Sequence, residues 1–301
     1  MTRAYVARGE DLILDETARA AARGSFVTLS DGVTHYELAG PATGPLVLLV
    51  PGITIPLGYW DAIAVDLHAQ GLRTLAYSAY GRGWSDRVEG RYDEALFLRQ
   101  LGELLDAVGA REPVHVVGTS MGGLIAMAYA TQPGVQRPLS LTLIGPAGLT
   151  EERQLGTRLL AIDPLARVMG KFFGHRALST HLSHNVRSSE DAELLVRLVG
   201  EPYRFHGSVY ALLCTIRDYP LTAQQDLYRR AGRLPIPTML LWGKHDQVTP
   251  IEHLDTVREL LHPDQCHVID DCGHMVPFED PHGTALLLAT FFQQTTGGRT
   301  T

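Results

Sequence analysis

The segment Gly118-Thr119-Ser120-Met121-Gly122 sets a serine hydroxyl between two residues that lack side chains. The apolar run Val114 to Val117 precedes it and the helical run Leu124 to Ala130 follows, so Ser120 stands at a strand-to-helix turn. A serine at such a turn is held in a strained backbone conformation with its hydroxyl exposed. A hydroxyl is a weak nucleophile and needs a base, and histidine is the natural base near neutral pH. Of 13 histidines, His274 has the strongest position, in Asp271-Cys272-Gly273-His274-Met275, after the last expected strand and before the final helix. A loop at a strand's carboxyl end is where ligands meet an open α/β sheet. The base in turn needs an acid to hold its tautomer. Asp246 follows the strand Thr238 to Trp242 on the same edge. Its structural role as a turn or capping residue is weakened because Thr249 is placed to cap the next helix. Together the three side chains would perform acyl transfer.

Charge developing on an attacked carbonyl requires backbone donors. Met121 N–H, directly after the serine, is one candidate. The other lies in Pro51-Gly52-Ile53-Thr54, after the apolar run Leu46 to Val50: Ile53 N–H is expected, with Thr54 as the alternative. Phe172, Phe173, Leu212 and Leu213 are candidates for lining a substrate pocket, although packing of helices on the core would use the same residue types. Cys272, two residues from His274, reads as a small packing residue rather than a reactive thiol.

These groups need a scaffold to bring them together. Leu46 to Val50, Val114 to Val117, Leu139 to Ile144 and Thr238 to Trp242 are apolar on both faces, as central strands of a covered sheet must be. Leu72 to Tyr77 and His267 to Ile269 are weaker members of the set. Phe26 to Ser30 and Val33 to Leu38, joined through Asp31-Gly32, read as a hairpin whose tight turn uses the positive φ of Asp-Gly. Tyr92 to Val108 carries apolar residues at a 3.6-residue period. Asp280-Pro281 opens a final helix. Alternating strands and helices imply parallel βαβ units and an α/β fold class. Residues 150–233 break that rhythm. They hold helical patterns around Leu159, Val168 to Phe173, Leu194 to Val199 and Val209 to Ile216, with start signals at Ser188 and Thr222. The expected organisation is a helical leader at 1–24, a core at 25–149 and 234–301, and a helical cap at 150–233.

Composition narrows the function. The 301 residues are 45% hydrophobic, enough for a sizeable core. Against 33 acidic residues stand 26 basic ones, a net charge of -7, so no basic surplus exists for nucleic acid. The longest apolar stretch, Leu124 to Ala130, is far short of the ~20 residues that cross a bilayer. Residues 1–10 do not read as a secretory signal. Three cysteines in so long a chain argue against a disulfide framework and fit a reducing cytoplasm. The expected partner is a small-molecule substrate, with neither nucleic acid nor membrane, and oligomeric state is not legible.

The order Ser120, Asp246, His274, together with Gly81-Arg82-Gly83-Trp84-Ser85-Asp86 and the segments around Gly243 to Pro250 and Cys272-Gly273-His274, resembles the α/β-hydrolase superfamily from Phe26 to Phe292. The resemblance is to capped serine hydrolases: carboxylesterases, lipases and C–C bond hydrolases. It implies a mostly parallel eight-stranded sheet with helices on both faces, no metal and no organic cofactor. Many members carry histidine where this chain has Pro51, a residue that braces the oxyanion loop and that proline cannot replace. Serine at the nucleophile position sets aside the epoxide hydrolases and haloalkane dehalogenases of this fold, which use aspartate. The expected activity is hydrolysis of a small to medium, largely apolar ester. The alternatives are C–C bond hydrolysis of a β-diketone-like substrate, a thioesterase or cyclase, and a non-catalytic binding protein on the same scaffold.

Overall fold

The computed structural model describes residues 5–150 and 163–297. Eight strands form one sheet: β1 (Ser25–Thr28), β2 (Val33–Ala39), β3 (Leu46–Val50), β4 (Arg73–Tyr77), β5 (His115–Thr119), β6 (Ser140–Ile144), β7 (Thr238–Gly243) and β8 (Gln265–Ile269). Their spatial order is β1-β2-β4-β3-β5-β6-β7-β8. β1 and β2 pair antiparallel, as do β2 and β4; every other pairing is parallel. The expected mostly parallel eight-stranded sheet is present.

The central strands are apolar throughout because both faces are covered. Leu48 and Val50 of β3 join Val116, Leu141, Leu143 and Trp242 in one core layer. That layer packs on α3 (Glu94–Ala107) and α4 (Met121–Thr131). Val47 and Leu49 point the other way, into a layer with Ile63 and Leu67 of α2 (Asp61–Ala69) and Leu288 and Phe291 of the final helix. The period of two along a strand therefore sorts one apolar run into two cores.

The hairpin differs from expectation in its turn. Thr28 pairs with Val33, leaving a four-residue loop, and neither Asp31 nor Gly32 has positive φ. Side chains from α3 hold the loop instead. Arg99 donates to both Asp31 carboxylate oxygens at 2.7 and 3.0 Å, and Ser30 Oγ donates to Glu103 at 2.6 Å. In the leader, the helix α1 is confined to Glu16–Ala20, capped by Asp15.

Between β6 and β7 lie α5 (Asp163–Ser183), α6 (Ser189–Gly200), α7 (Ser208–Asp218) and α8 (Gln225–Ala231). The pattern around Leu159 lies outside the described residues. Ser188 caps α6, its Oγ accepting from Asp191 N at 2.9 Å. Thr222 does not cap α8: the cap position is Gln224, with no side-chain bond. α5 packs on α6 and α7, whereas α8 packs on α4 and on α9 (Leu254–Leu261). After β8 come α10 (Val276–Glu279) and α11 (Pro281–Gly297). No helix among the described residues is long and apolar enough to cross a membrane.

Candidate active site

The carboxyl ends of β5, β6, β7 and β8 lie side by side, with Thr119 paired to Ile144, Ile144 to Leu241 and Gly243 to Ile269. The residues that follow these ends form the candidate site.

Ser120 is the first residue past β5. Its φ of 54° and ψ of -121° put a non-glycine residue in a sparsely populated region, the strained turn expected. The conformation is held from both sides: Ser120 N donates to Ile144 O at 3.0 Å, and Ser120 O accepts from Gly123 N at 3.0 Å and Ala147 N at 3.2 Å. Gly122 is required for space, since a Cβ there would collide with the Val50 and Pro51 carbonyls.

Asp246 and His274 meet at Gly145, the residue after Ile144, whose carbonyl accepts from Ser120 N. His274 Nδ1 lies 2.8 Å from Asp246 Oδ2, and both side chains are buried. With that hydrogen on Nδ1, Nε2 is the nitrogen available to accept a proton. Asp246 Oδ1 accepts from the backbone amides of Val248 and Thr249, each at 2.8 Å. The histidine loop is anchored as well: His274 N donates to Asn185 O at 2.9 Å and His245 N donates to Cys272 O at 3.0 Å, which ties the loops after β7 and β8 together. Gly145, at the end of β6, has φ of 46°, and a Cβ there would stand 3.0 Å from Asp246 Oδ2 and 3.5 Å from His274 Nδ1. No hydrogen bond joins the Ser120 hydroxyl to the His274 ring among the described residues; the ring's bonds run from Nδ1. Catalytic contacts in unliganded sites are often long and tighten on substrate binding.

Thr249 departs from expectation. It does not cap a helix: the chain passes through a 3-10 turn, Ile251–His253, before α9. Its hydroxyl lies 2.7 Å from Asp246 Oδ2 and 3.1 Å from Gly145 O.

Ile53 and Met121 both border the cavity in front of Ser120. Neither amide donates to a backbone carbonyl among the described residues. Met121 N–H is also the first of α4, where the helix dipole favours negative charge.

That cavity has a volume of about 400 Å³. Its roof consists of one face of α5 (Gly174, Ala177, Leu178, His181) and one of α7 (Val209, Leu212, Leu213, Ile216). Leu212 and Leu213, two of the four candidate lining residues, border this cavity. Phe172 and Phe173 do not: they lie on another face of α5 and are 57% and 62% exposed. The spacing 174, 177, 178, 181 is the one that turns a helical face toward the cavity, and its small residues leave room for a ligand. This face is not marked in the sequence, because glycine and alanine carry little apolar signal. His181 is the titratable imidazole among the described wall residues. Burial, then the neighbouring His274 and His184, lower its pKa and favour the neutral ring. Cys272 is buried, and its thiol is pushed up to about 12, first by burial and then by Glu279, Asp280 and Asp271, so it is no thiolate near neutral pH. Among the described residues no cluster of histidine, cysteine or carboxylate side chains is arranged to hold a metal.

A family model described as alpha/beta hydrolase fold matches residues 45–281. The monoacylglycerol lipase ABHD6 of Mus musculus is 28% identical over 268 residues, spanning 85% of this chain and 78% of that protein. Among solved structures, a thermophilic esterase from Thermogutta terrifontis superposes with a TM-score of 0.76 at 20% identity, covering 91% of this chain and 99% of its own. A point mutant of the meta-cleavage product hydrolase CumD superposes with a TM-score of 0.71 at 22% identity, covering 90% of this chain and 98% of its own.

Proposed function

Because the chain belongs to the α/β-hydrolase fold family, we propose that it is a serine hydrolase that cleaves small to medium, largely apolar carboxylic esters through an acyl-enzyme at Ser120. The observation that carries this reading is the buried His274–Asp246 pair, 2.8 Å apart, beside a positive-φ serine that opens into an apolar cavity. The relatives named monoacylglycerol lipase favour an ester over a C–C bond.

In this mechanism His274 Nε2 removes the Ser120 proton as Oγ attacks the ester carbonyl. Asp246 holds the ring and stabilises the imidazolium that forms. The Ile53 and Met121 amides receive the oxyanion, a contribution that typically changes rate by ~10²–10³ per donor. His274 then protonates the leaving alcohol, activates water, and returns the serine to its resting state. The helices α5 to α7 act as a cap: Leu212, Leu213 and Ile216 receive the acyl chain, and their burial of substrate excludes bulk water.

Hydrolysis of p-nitrophenyl esters of increasing acyl length tests the reading. Wild-type protein is expected to turn over the butyrate-to-octanoate range. Ser120→Ala is expected to lower kcat by at least about 10³-fold with an unchanged melting temperature. Turnover by Ser120→Ala at the wild-type rate rules the mechanism out.

A further inference from the structure

The chain lacks a histidine at position 51, yet its oxyanion loop is held, and the residue that holds it is Arg82. This guanidinium is completely buried. It has no carboxylate partner among the described residues; its three bonds go to neutral oxygens. Arg82 Nε donates to Ile53 O at 2.6 Å, Nη1 to Tyr80 O at 2.9 Å and Nη2 to Thr215 Oγ1 at 2.9 Å. Thr215 belongs to α7, and its own hydroxyl donates to Ala211 O at 2.8 Å, so it serves Arg82 as an acceptor. One side chain therefore joins the loop after β3, the loop after β4 and the cap.

Burying an arginine without a counter-ion is costly, and a hydrogen bond from each of its three nitrogens offsets part of that cost. What the cation holds at the loop is the Ile53 carbonyl. Ile53 and Thr54 border the cavity, whereas Arg82 does not. The 53–54 peptide is trans, so its N–H points opposite to its carbonyl. Drawing the Ile53 oxygen to the buried guanidinium keeps an acceptor out of the space where negative charge develops. It also fixes the 53–54 peptide next to Ile53, whose own amide is the proposed donor. Without the bond, the 53–54 peptide is free to turn its oxygen toward the cavity, where it would repel the oxyanion.

We propose that Arg82 is a positioning residue that braces the oxyanion loop through the Ile53 carbonyl and couples that loop to the cap through Thr215. This rests on the serine-hydrolase reading above and adds the residue that aligns its anion-binding amides. Arg82 touches no substrate, so its effect falls on the transition state and not on ground-state binding.

Two variants separate this role from a general need for charge or packing. Arg82→Met keeps the stem and removes all donors. Arg82→Lys keeps the charge but puts a methylene where Nε stood, so the Ile53 bond is lost. Both are expected to lower kcat by roughly 30- to 300-fold, with KM within threefold. Affinity for an alkyl boronic acid, which forms a tetrahedral adduct on serine, is expected to fall by the same factor. If Arg82→Met does not fold, Arg82→Lys alone decides. Wild-type kcat in either folded variant overturns the proposal, as does a loss that appears only in KM. If the wild-type protein turns over no ester, the serine-hydrolase reading fails and the brace is decided by hydrogen exchange. Amides of residues 52–57 exchanging at least tenfold faster in Arg82→Lys support it, and unchanged exchange there overturns it.

Discussion

The hydroxyl of Thr249 lies 2.7 Å from Oδ2 of Asp246, the same oxygen that His274 Nδ1 approaches to 2.8 Å. With the amides of Val248 and Thr249 on Oδ1, the carboxylate receives four donors, and its plane is set before any substrate arrives. Thr249→Val removes one of those donors and leaves the backbone bonds intact. A single hydrogen bond of about 1 kcal/mol corresponds to roughly a fivefold change in rate. Steady-state kinetics should show kcat reduced about five- to tenfold at unchanged KM, with Thr249→Ser close to wild type. A loss in Thr249→Ser with Thr249→Val at the wild-type rate would assign the effect to packing of the methyl group instead.

The cavity wall makes a prediction about acyl length. Each buried methylene contributes roughly 0.8 kcal/mol, so kcat/KM should rise up to about fourfold per added carbon until the cavity is full. Ile216, on the α7 face of the wall, is the place to shorten it. Ile216→Trp should move the optimum to shorter esters while acetate turnover stays within a fewfold of wild type. An unaltered chain-length profile would mean that acyl chains bind elsewhere.

Glu10 ties the N-terminal segment to the start of α7. Its buried carboxylate accepts from Ala7 N at 2.7 Å, Gly207 N at 2.9 Å and Val209 N at 2.7 Å, the last two at the start of α7. Negative charge is favoured there by the helix dipole. Glu10→Gln keeps one acceptor oxygen and replaces the other by a donor facing amides. Unfolding in urea should show a loss of about 1–3 kcal/mol. A change below about 0.5 kcal/mol, as expected of an ordinary surface substitution, would show that Glu10 does not anchor the start of α7.

Acid sensitivity should come in part from His115 on β5. The ring is buried, stacked on Phe292, with Nδ1 2.8 Å from Ser140 Oγ. Burial lowers its pKa to about 4 from the ordinary 6.5. The folded state thus binds this proton less readily than the unfolded chain. Its share of stability is complete above pH 6.5 and is lost as the pH falls from 6.5 toward 4. Between about pH 7 and pH 5 the loss should be about 2 kcal/mol. His115→Gln should flatten the pH dependence of urea unfolding by that amount over this interval, whereas an undiminished slope would place the sensitivity in other groups.

Much of the candidate site is legible in the sequence, for identifiable reasons. Ser120 was marked by glycines that the turn requires for space, and His274 and Asp246 by loops after apolar strands. The central strands were readable because two-sided burial removes polar residues from them. What stayed hidden depended on contacts between distant segments. Thr249 looked like a cap because its neighbour is Pro250, and only the approach of Gly145 and Asp246 redirects its hydroxyl. Phe172 and Phe173 looked like pocket residues because they are large and apolar, whereas the wall is made by the small residues Gly174 and Ala177 beside them. Arg82 gave no sign of its role, since its partners Ile53 and Thr215 lie 29 and 133 residues away.

The nucleophile itself can be read directly by mass. After treatment with a fluorophosphonate, the peptide containing Ser120 should carry one phosphonyl group in wild-type protein. The adduct should be absent in Ser120→Ala and formed at least about 10²-fold more slowly in His274→Ala. Stoichiometric labelling at another residue, or an unmodified Ser120 in protein that hydrolyses esters, would contradict the account.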